Sequence, residues 1–599
     1  MRDRRNTNLS ISTASFPSNN NSPVDAPNTD ATDLAEKGRF LLLPLRTDDT
    51  ALPSPLLKHQ QELQARQPAY RRYLSSTARP SVIFALFLGL FFFWRCLAVT
   101  SSLSLPAFTS TPSSNAPFHV APLSSEPGPI IVQDSSGRKR WTVSIPENST
   151  FPLRPSQYRN ICSQGHQISK TVRESIRQSS RITNAAGRVG DSFYAPDSTY
   201  IEVHDAIKQG LLNSTPQAPI PVIAKDEHAT ATCDRSLTFI LETEEAGFGK
   251  SLLSLWLSYS LARRERRAFF IDDSRWQYGD YLSFFPKPPN PSCLPPPPSQ
   301  VVPCPHQAAH LAVSAATLSE IFGSKFHAHY LSSRRSGLGK QKNIFHMARE
   351  GYEALFALTG EDAAFAKQRI SSIRNAASNG HYPAIGMHVR RGDRHPFEYE
   401  FHHDYLPLHR FTAAAAHIIA STPRPKTVNA SEPIPLLIAS DNPDIPIDPD
   451  LAESTEMPIR LERAQDRIVL ASKRNLNQNE PERQGNGAFV KHVDEVSGWE
   501  GGFFASLFRG LGRPNRAHHL TFSSAREHPE DNAAVMRHLV GRGYLLDLEV
   551  LGRGSDDVVC AVSSATCRVL AVIMGWDKVK RGQWVNVDDG RGWSWDGQH

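Results

Sequence analysis

The residues best suited to chemistry follow a short apolar run in the middle of the chain. Residues 386–401 read GMHVRRGDRHPFEYEF, and Arg390 and Arg391 come where a buried strand should meet a loop. Ligands of open α/β sheets bind at the carboxyl ends of the strands. Guanidinium groups bind phosphate oxygens through paired, charge-assisted hydrogen bonds. The arginines therefore predict a diphosphate site, with a surface ion pair between Arg391 and Asp393 as the alternative.

A glycine-rich segment, EEAGFGKS, follows an earlier strand candidate. It differs from a phosphate-binding P-loop because Glu244 stands where the first glycine of that motif is required. Gly247 and Gly249 nevertheless come at the expected start of a helix, where backbone N–H groups can receive an anion. The alternative is a tight turn whose glycines only let the helix pack on the strand.

A third segment, CAVSSATC, places two serines between two cysteines after an apolar strand. The hydroxyls of Ser563 and Ser564, with the backbone N–H groups beside them, are able to hold phosphate oxygens at a strand-to-helix turn. Either serine can also act simply as a helix N-cap. Cys560 and Cys567 are close enough in sequence to form a short disulfide loop.

The elements around these segments predict an α/β protein with parallel sheets. SLTFILET and AFFIDD are strand candidates separated by the glycine loop and an apolar helix, which is the pattern of a parallel layer. YPAIGMHV and PLLIASD predict two further buried strands. The late segment around CAVSSATC predicts helix, strand, serine turn and helix, while residues 458–526 are irregular and indicate an insertion or loop.

One apolar segment bears on the compartment. Within the expected anchor, residues 81–99, the run from Val82 to Val99 is apolar except for Arg95, and its length is close to that of a short membrane span. Arginines precede the segment, but no Lys or Arg follows it before Arg138, which predicts a cytosolic N-terminus and a translocated C-terminal part. A cleaved signal peptide and a buried core helix are the alternatives. Residues 1–80 are expected to be a disordered tail and residues 100–155 a stalk.

The composition of the chain agrees with a C-terminal part that is translocated across the membrane. A chain of 599 residues with net charge +6 predicts more than one folded unit and no nucleic-acid partner. Six of the seven cysteines fall on the translocated side, which favours disulfides over buried thiols. The N-glycosylation triplets on that side begin at Asn148, Asn213 and Asn429.

Taken together, these motifs resemble the α-1,6-fucosyltransferase family, which contains the core N-glycan and the Nod-factor fucosyltransferases. HVRRGDRHPFEYEFH is similar to the family's HVRRTDK segment, including its downstream Glu and Phe-His. SDDVVCAVSSATCRVLAVIMG is similar to its late motif. LLIASDNP and the stretch from AGFGK to DDSRWQYGDY resemble its ATDDP strand end and its glycine loop with the NWRY segment. The likeness runs in islands from Cys233 to Trp576.

The resemblance implies a two-lobed GT-B enzyme that transfers fucose from GDP-fucose with inversion, without a metal or other cofactor. Glu398 would be the general base and Arg391 would stabilise the leaving diphosphate. The residues that would contact GDP or shape its site are His388, Arg390, Arg391, Asp393, Asp547, Ser563, Ser564, Gly247 and Gly249. It also implies the disulfides Cys233–Cys293 and Cys560–Cys567, which leave Cys162 and Cys304.

On this basis, we expect an N-terminal lobe over residues 156–384 and a nucleotide-sugar-binding lobe over 385–599, in a single-pass type II Golgi membrane protein. A glycan or glycoprotein is the expected acceptor, and a homodimer remains an open alternative. Gly392 and Arg394 replace a Thr and a Lys of the family, the acceptor-side loops do not match, and the aromatic C-terminal segment reads as exposed. Two other functions are open: an inactive glycan- or nucleotide-sugar-binding relative, and an adhesion protein using Arg391-Gly392-Asp393.

Overall fold

The structure is a computed structural model. It describes residues 125–134, 136–179, 192–212, 220, 222–223, 231–243, 245–391, 400–401, 405–422, 433–453, 459–469, 499–500, 503–504 and 532–596. All of them belong to one unit of the chain. In these ranges no helix combines the length and the apolar character needed to cross a bilayer. The predicted membrane segment at 81–99 lies outside the described residues.

Twelve strands and twelve helices are present in the described part of the chain. The strands are β1 Gly128–Gln133, β2 Lys139–Ser144, β3 Ser236–Glu242, β4 Ala268–Arg275, β5 His310–Val313, β6 Ile385–Val389, β7 Ile434–Ser440, β8 Ile459–Arg463, β9 Trp499–Glu500, β10 Phe503–Phe504, β11 Asp557–Cys560 and β12 Trp584–Asn586. The helices are α1 Pro155–Ser179, α2 Val203–Lys208, α3 Phe248–Arg264, α4 Leu318–Ile321, α5 Ser324–Tyr330, α6 Lys342–Leu355, α7 Gly360–Gly380, α8 Leu408–Ser421, α9 Pro449–Glu453, α10 Asn532–Gly554, α11 Ala565–Met574 and α12 Trp576–Lys580.

Two parallel sheets organise the fold. The first has the order β4-β3-β5, and the second has the order β12-β11-β6-β7-β8. Every residue of β3 and of β6 is buried, as expected for central strands covered on both faces. The protein is therefore a mixed α/β structure with parallel sheets, as the sequence predicts.

A single hydrophobic core joins the two sheets. It includes Phe239 from β3 and Val558 from β11, and it surrounds α3. Trp256 on α3 is fully buried, and a Cβ added at Gly351 of α6 would lie 2.2 Å from its carbonyl oxygen. Helix α3 is buried on nearly all sides, its serines included, because it is enclosed by other elements rather than facing water.

The C-terminal segment is part of this core. Trp593 and Trp595 are 1% and 7% exposed, and their indole N–H groups donate to the Arg568 carbonyl and to Nε2 of His327. The expectation of an exposed aromatic segment is therefore wrong. The tryptophans are buried because they pack on a surface that α5 and α11 form together.

Three disulfides link the cysteines that the resemblance pairs or leaves over. Cys233–Cys293 and Cys560–Cys567 are both formed, and Cys162–Cys304 is the third. Their Cα atoms are 5.0, 5.4 and 5.6 Å apart, which lies within the ordinary range for disulfides. The disulfide prediction is confirmed.

Two ranges that composition predicted to lack regular structure contain strands. Strands β1 and β2 form an antiparallel hairpin inside the range expected to be a stalk, and buried Trp141 and Val143 pack this hairpin against α1. Strand β8 lies inside the range expected to be irregular and pairs with β7 at the edge of the second sheet. Its sequence, IRLER, is charged because an edge strand is half exposed, and this hides the strand pattern.

Candidate anion site at two helix N-termini

The candidate site lies at the carboxyl end of the second sheet, beyond strands β6, β7 and β11. Along β6, Ile385, Met387 and Val389 pack into the core beside α8. Gly386 lies on the opposite face, where an added Cβ would come within 2.9 Å of Leu551 on α10. Since side chains alternate along a strand, His388 shares the face of Gly386. Arg390, just beyond the strand, continues toward that face.

Helices α3 and α11 begin next to each other at this end of the sheet. A Cβ added at Gly249, in the first turn of α3, would lie 3.2 Å from the backbone nitrogen of Thr566 and 2.7 Å from the hydroxyl of Tyr544. Glycine is therefore needed here so that the two helix N-termini can approach. Each N-terminus carries unpaired N–H groups and a partial positive charge of about half a unit. Their convergence creates a site suited to an anion.

Ser564 is a second, independent indication of a ligand. It is the N-cap residue of α11 and is 2% exposed, yet its side chain accepts no capping hydrogen bond. Its buried hydroxyl has no hydrogen-bond partner among the described residues. A buried polar group without a partner costs about 1–3 kcal/mol, so such a group at a site indicates an external partner. The prediction that Ser564 serves only as an N-cap does not account for this geometry.

Three cationic side chains surround the converging helices. Lys250 lies in the first turn of α3 and Arg568 in the first turn of α11, and desolvation by burial, with the positive charge of Arg568 adding to it, lowers the pKa of Lys250. Arg568 is buried, and its Nη1 donates to the Trp595 carbonyl at 2.8 Å. Arg390 is the third cation, and its charge acts on both His388 and Tyr544.

Tyr544 lies at the centre of the cluster. Its hydroxyl is 3.1 Å from Oγ1 of Thr566, and its ring centroid is 5.3 Å from that of Phe248 at the start of α3. Burial raises its pKa well above the usual value, although the charge of Arg390 acts in the opposite direction. The phenol therefore stays protonated and can donate a hydrogen bond.

Two ionisable groups near Tyr544, the buried His388 and the partly buried Asp547, are largely uncharged at physiological pH. Burial, with a smaller contribution from Arg390, lowers the pKa of His388 to about 3, so its imidazole is uncharged. Burial raises the pKa of Asp547 to about 8 against the opposing effects of Gln465 and Arg463, so its carboxyl is largely protonated at neutral pH. His388 Nδ1 has no hydrogen-bond partner among the described residues. Both groups can hydrogen-bond a neutral part of a ligand.

Arg391 points away from this cluster. Its Nη2 donates to the Leu406 carbonyl at 2.9 Å, its guanidinium carbon lies 5.2 Å from the centroid of the Tyr405 ring, and its backbone N–H donates to Asp441. Consecutive residues at a strand end point to opposite faces of the sheet. A ligand on the face that Gly386 and His388 share would therefore meet Arg390 and not Arg391. The expectation that both guanidiniums meet one diphosphate is therefore not met by this geometry.

Several predicted site residues lie outside the described residues: Gly392, Asp393, Glu398, Asn213 and Asn429. Of the described residues that flank Glu398, Arg391 N–H donates to Asp441 and Glu400 N–H donates to Asp588. Asn148 is exposed, as a glycosylation site must be. Ser563 is partly buried beside Ser564, and Gly247 is the exposed N-cap of α3.

Sequence reasoning missed Lys250, Tyr544, Thr566 and Arg568. Lys250 follows the glycine pair, and Arg568 stands one helical turn after Ser564, so both carry a positional signal. Tyr544 is one turn before Asp547 on the same face of α10. In the described ranges no group of three or more His, Cys, Asp or Glu side chains is placed to hold a metal ion.

Comparisons with known proteins give a limited result. No protein-family model matches the chain, and no curated protein matches it. Among solved structures, NodZ α-1,6-fucosyltransferase soaked with GDP-fucose is similar at 14% identity and TM-score 0.29, over 57% of this chain and 92% of that one. Fucosyltransferase NodZ from Bradyrhizobium is similar at 13% identity and TM-score 0.25, over 56% and 92% of the two chains. A likeness this weak does not assign a family.

Proposed function

We propose that the protein is a glycosyltransferase of the GT-B type that transfers fucose from GDP-fucose to a glycan. The observation that carries the proposal is the buried, unpartnered hydroxyl of Ser564 at the point where the N-termini of α3 and α11 converge. The motif resemblance contributes the identity of the sugar and of the nucleotide. The geometry independently favours a ligand with two adjacent anionic groups.

A nucleoside diphosphate matches the charge of this site. The two helix N-termini together supply about one positive charge, and Lys250, Arg390 and Arg568 add three more. Ser564 and Tyr544 provide hydroxyl donors to phosphate oxygens. Fixed donors in a buried site stabilise developing charge without having to reorganise, so this arrangement can stabilise a departing diphosphate without a metal.

The transfer step is a single displacement with inversion at the anomeric carbon. The bond between that carbon and the β-phosphate oxygen breaks, and the electron pair leaves with GDP. The acceptor oxygen forms the new bond to carbon, and its proton passes to the carboxylate of Glu398. In this proposal Arg390, rather than Arg391, stabilises the leaving oxygen. Arg391 is a positioning residue that fixes the start of the loop carrying Glu398 through Leu406 and Tyr405.

Asp547 and His388 are proposed to bind the nucleoside. A protonated carboxyl can donate one hydrogen bond and accept another, which matches the paired donors and acceptors on a guanine edge. Asp547 is held in that form by burial. The neutral imidazole of His388 adds a donor or an acceptor without adding a charge.

We also propose that the catalytic part lies in the Golgi lumen, anchored by residues 81–99. The three disulfides support an oxidising compartment, because disulfides are rare in the cytosol. The exposure of Asn148 supports the same side of the membrane, since it is accessible to glycosylation. A glycan on a secretory protein is then the natural acceptor.

Nucleotide binding is tested by thermal unfolding of the purified protein with GDP, UDP, CMP and ADP. GDP at a hundred times its Kd should stabilise the protein by about 2.7 kcal/mol. Ser564→Ala and Arg390→Ala should abolish most of that shift. The matched controls Ser371→Ala and Arg460→Ala, which replace exposed residues away from the site, should keep it. An equal shift in all four variants would refute the proposed site.

Catalysis is tested separately with Glu398→Gln. Loss of a general base reduces turnover by about 10²- to 10⁴-fold while leaving ground-state binding intact. The variant should therefore keep the GDP-dependent shift and lose fucose transfer, measured as release of free GDP with a glycan acceptor. A wild-type protein that binds GDP but releases none with any glycan is instead a nucleotide-sugar-binding relative.

A further inference from the structure

A separate cavity lies beside α1, in the part of the molecule built on the first sheet. It has a volume of about 510 Å³ and is lined by the middle of α1, residues before α2, the segment 304–307, and residues of α4 and the start of α5. Small-molecule sites in proteins generally fall between about 300 and 1,000 Å³. The anion site described above shares none of these lining residues, so the cavity is a distinct feature of the molecule.

The walls of the cavity are polar and present donors beside acceptors. Nε2 of His166 lies 2.6 Å from Oε2 of Glu320, and an Nη of Arg173 lies 3.2 Å from Asp197. His166 and Glu320 remain partly exposed, at 64% and 32%, so both can exchange partners with a ligand. Neighbouring donors and acceptors of this kind match the adjacent hydroxyl groups of a sugar ring.

Apart from its histidines, the acidic and basic residues that line the cavity are equal in number, which favours an uncharged ligand over an anionic one. The basic residues are Lys170, Arg173 and Lys325. The acidic residues are Glu174, Asp197 and Glu320. An uncharged ligand rich in hydroxyl groups meets this balance better than a phosphate or a nucleotide does.

An exposed aromatic ring stands next to the cavity. Tyr194 is 43% exposed, and its ring packs edge-on against Phe193, which lines the cavity. Its hydroxyl lies 2.6 Å from that of Tyr330, and its ring is perpendicular to that of His329 at 4.9 Å. These contacts hold the partly exposed ring in a fixed orientation. The apolar face of a sugar ring can pack on such a surface.

The cavity also lies in line with the anion site along α1. Arg159, in the first turns of α1, is 2.6 Å from Glu245, which directly precedes the glycine segment that begins α3. His166 and Arg173 follow Arg159 at intervals of seven residues, so all three lie on one face of α1. A rise of 1.5 Å per residue puts His166 about 10 Å farther along that face. A chain of sugars could therefore reach from the reaction site into the cavity.

We propose that this cavity binds non-reacting sugars of an uncharged oligosaccharide acceptor, an inference that rests on the proposed function. Binding in the cavity would let the protein select an acceptor by its other sugars as well as by the reacting sugar, which would be held near Glu398. Occupation of the cavity should raise the apparent affinity for acceptor and leave the chemical step unchanged.

The test is saturation-transfer NMR on the full purified chain. The probes are neutral trisaccharides containing N-acetylglucosamine, mannose or galactose, a sulfated trisaccharide, and an uncharged unstructured peptide. At least one neutral trisaccharide should bind, and Tyr194→Ala and Glu320→Gln should each weaken its binding at least tenfold. The controls Ile447→Ala and Glu353→Gln, at exposed positions away from the cavity, should leave it unchanged. Binding only of the sulfated sugar or the peptide, or equal effects in the control variants, would overturn the proposal.

Two further readouts separate this inference from the proposed function. The GDP-dependent thermal shift should be the same in Tyr194→Ala and Glu320→Gln as in the wild type, because neither residue is near the anion site. In the transfer assay both variants should raise the acceptor KM with little change in kcat. If GDP does not bind but the trisaccharide binding responds to the cavity variants, the transferase proposal fails and the saccharide cavity stands.

Discussion

Replacing Gly249 by alanine should damage both stability and nucleotide binding. The new Cβ would lie 2.7 Å from the Tyr544 hydroxyl and 3.2 Å from the Thr566 backbone nitrogen, so the two helix N-termini must separate. Overpacking of this kind costs about 1–3 kcal/mol. Alanine recovers at most about 0.5–1 kcal/mol of helix propensity, and less in a first turn. The steric cost is larger, so the free energy of unfolding should fall by about 1–2 kcal/mol.

The loss in the free energy of GDP binding should be larger than the loss in the free energy of unfolding. Separation of the helices removes at least one charge-assisted hydrogen bond to phosphate, worth about 1.5–3 kcal/mol, which corresponds to a roughly ten- to hundredfold rise in the GDP Kd. Urea unfolding and calorimetric titration with GDP measure the two quantities. The control is Gly339→Ala, whose added Cβ would meet only the flexible Arg335 side chain at 3.4 Å or more. Equal stability and equal GDP affinity in the two variants would refute the convergence of the helices as the basis of the site.

Three further predictions concern stability. Because the folded pKa of Asp547 is about 8 and a free aspartate titrates near 3.9, the folded state retains a proton that the unfolded state releases between these values. Stability should therefore fall as pH rises from 5 to 7.5, by up to about 1.4 kcal/mol per pH unit from this group, and Asp547→Asn should remove that part of the slope in urea unfolding. The double variant Cys560→Ala, Cys567→Ala should lose about 2–3 kcal/mol and bind GDP more weakly, as measured by calorimetry, because the end of β11 is no longer linked to α11 across the serine turn. Trp595→Ala should lose about 3–5 kcal/mol in the same unfolding assay, since it empties a buried site, and retention of wild-type stability would contradict its burial.

The sequence predicted the central strands and missed the peripheral ones. Strands such as β3 and β6 are buried on both faces, so their apolar runs are visible without any knowledge of the fold. Strand β8 is charged because it is an edge, and β5 has only four residues. The β1–β2 hairpin follows a polar segment and gains its stability from packing on α1, which the local sequence does not show.

The sequence predicted which segments form the site, but the predictions did not include the direction in which their side chains point. Ser564 and Gly249 follow strands in recognisable patterns, and both lie at the converging helices. The opposite orientations of Arg390 and Arg391 follow from strand alternation, so the sequence already held that information. Tyr544 could not be found in this way, because its role depends on α10 contacting the starts of α3 and α11, which begin at Phe248 and Ala565 and are far apart in the chain.

The burial of Trp595 has a consequence for synthesis on the ribosome. Multidomain chains commonly fold vectorially, with early domains complete before later ones emerge. Here the surface around α5 is closed by Trp595, which lies 268 residues after His327 in the chain, and α3 lies in a core that also contains β11. The nascent chain must therefore keep apolar surface exposed until these later segments have emerged. Chaperone engagement should persist until the C-terminal tryptophans are released.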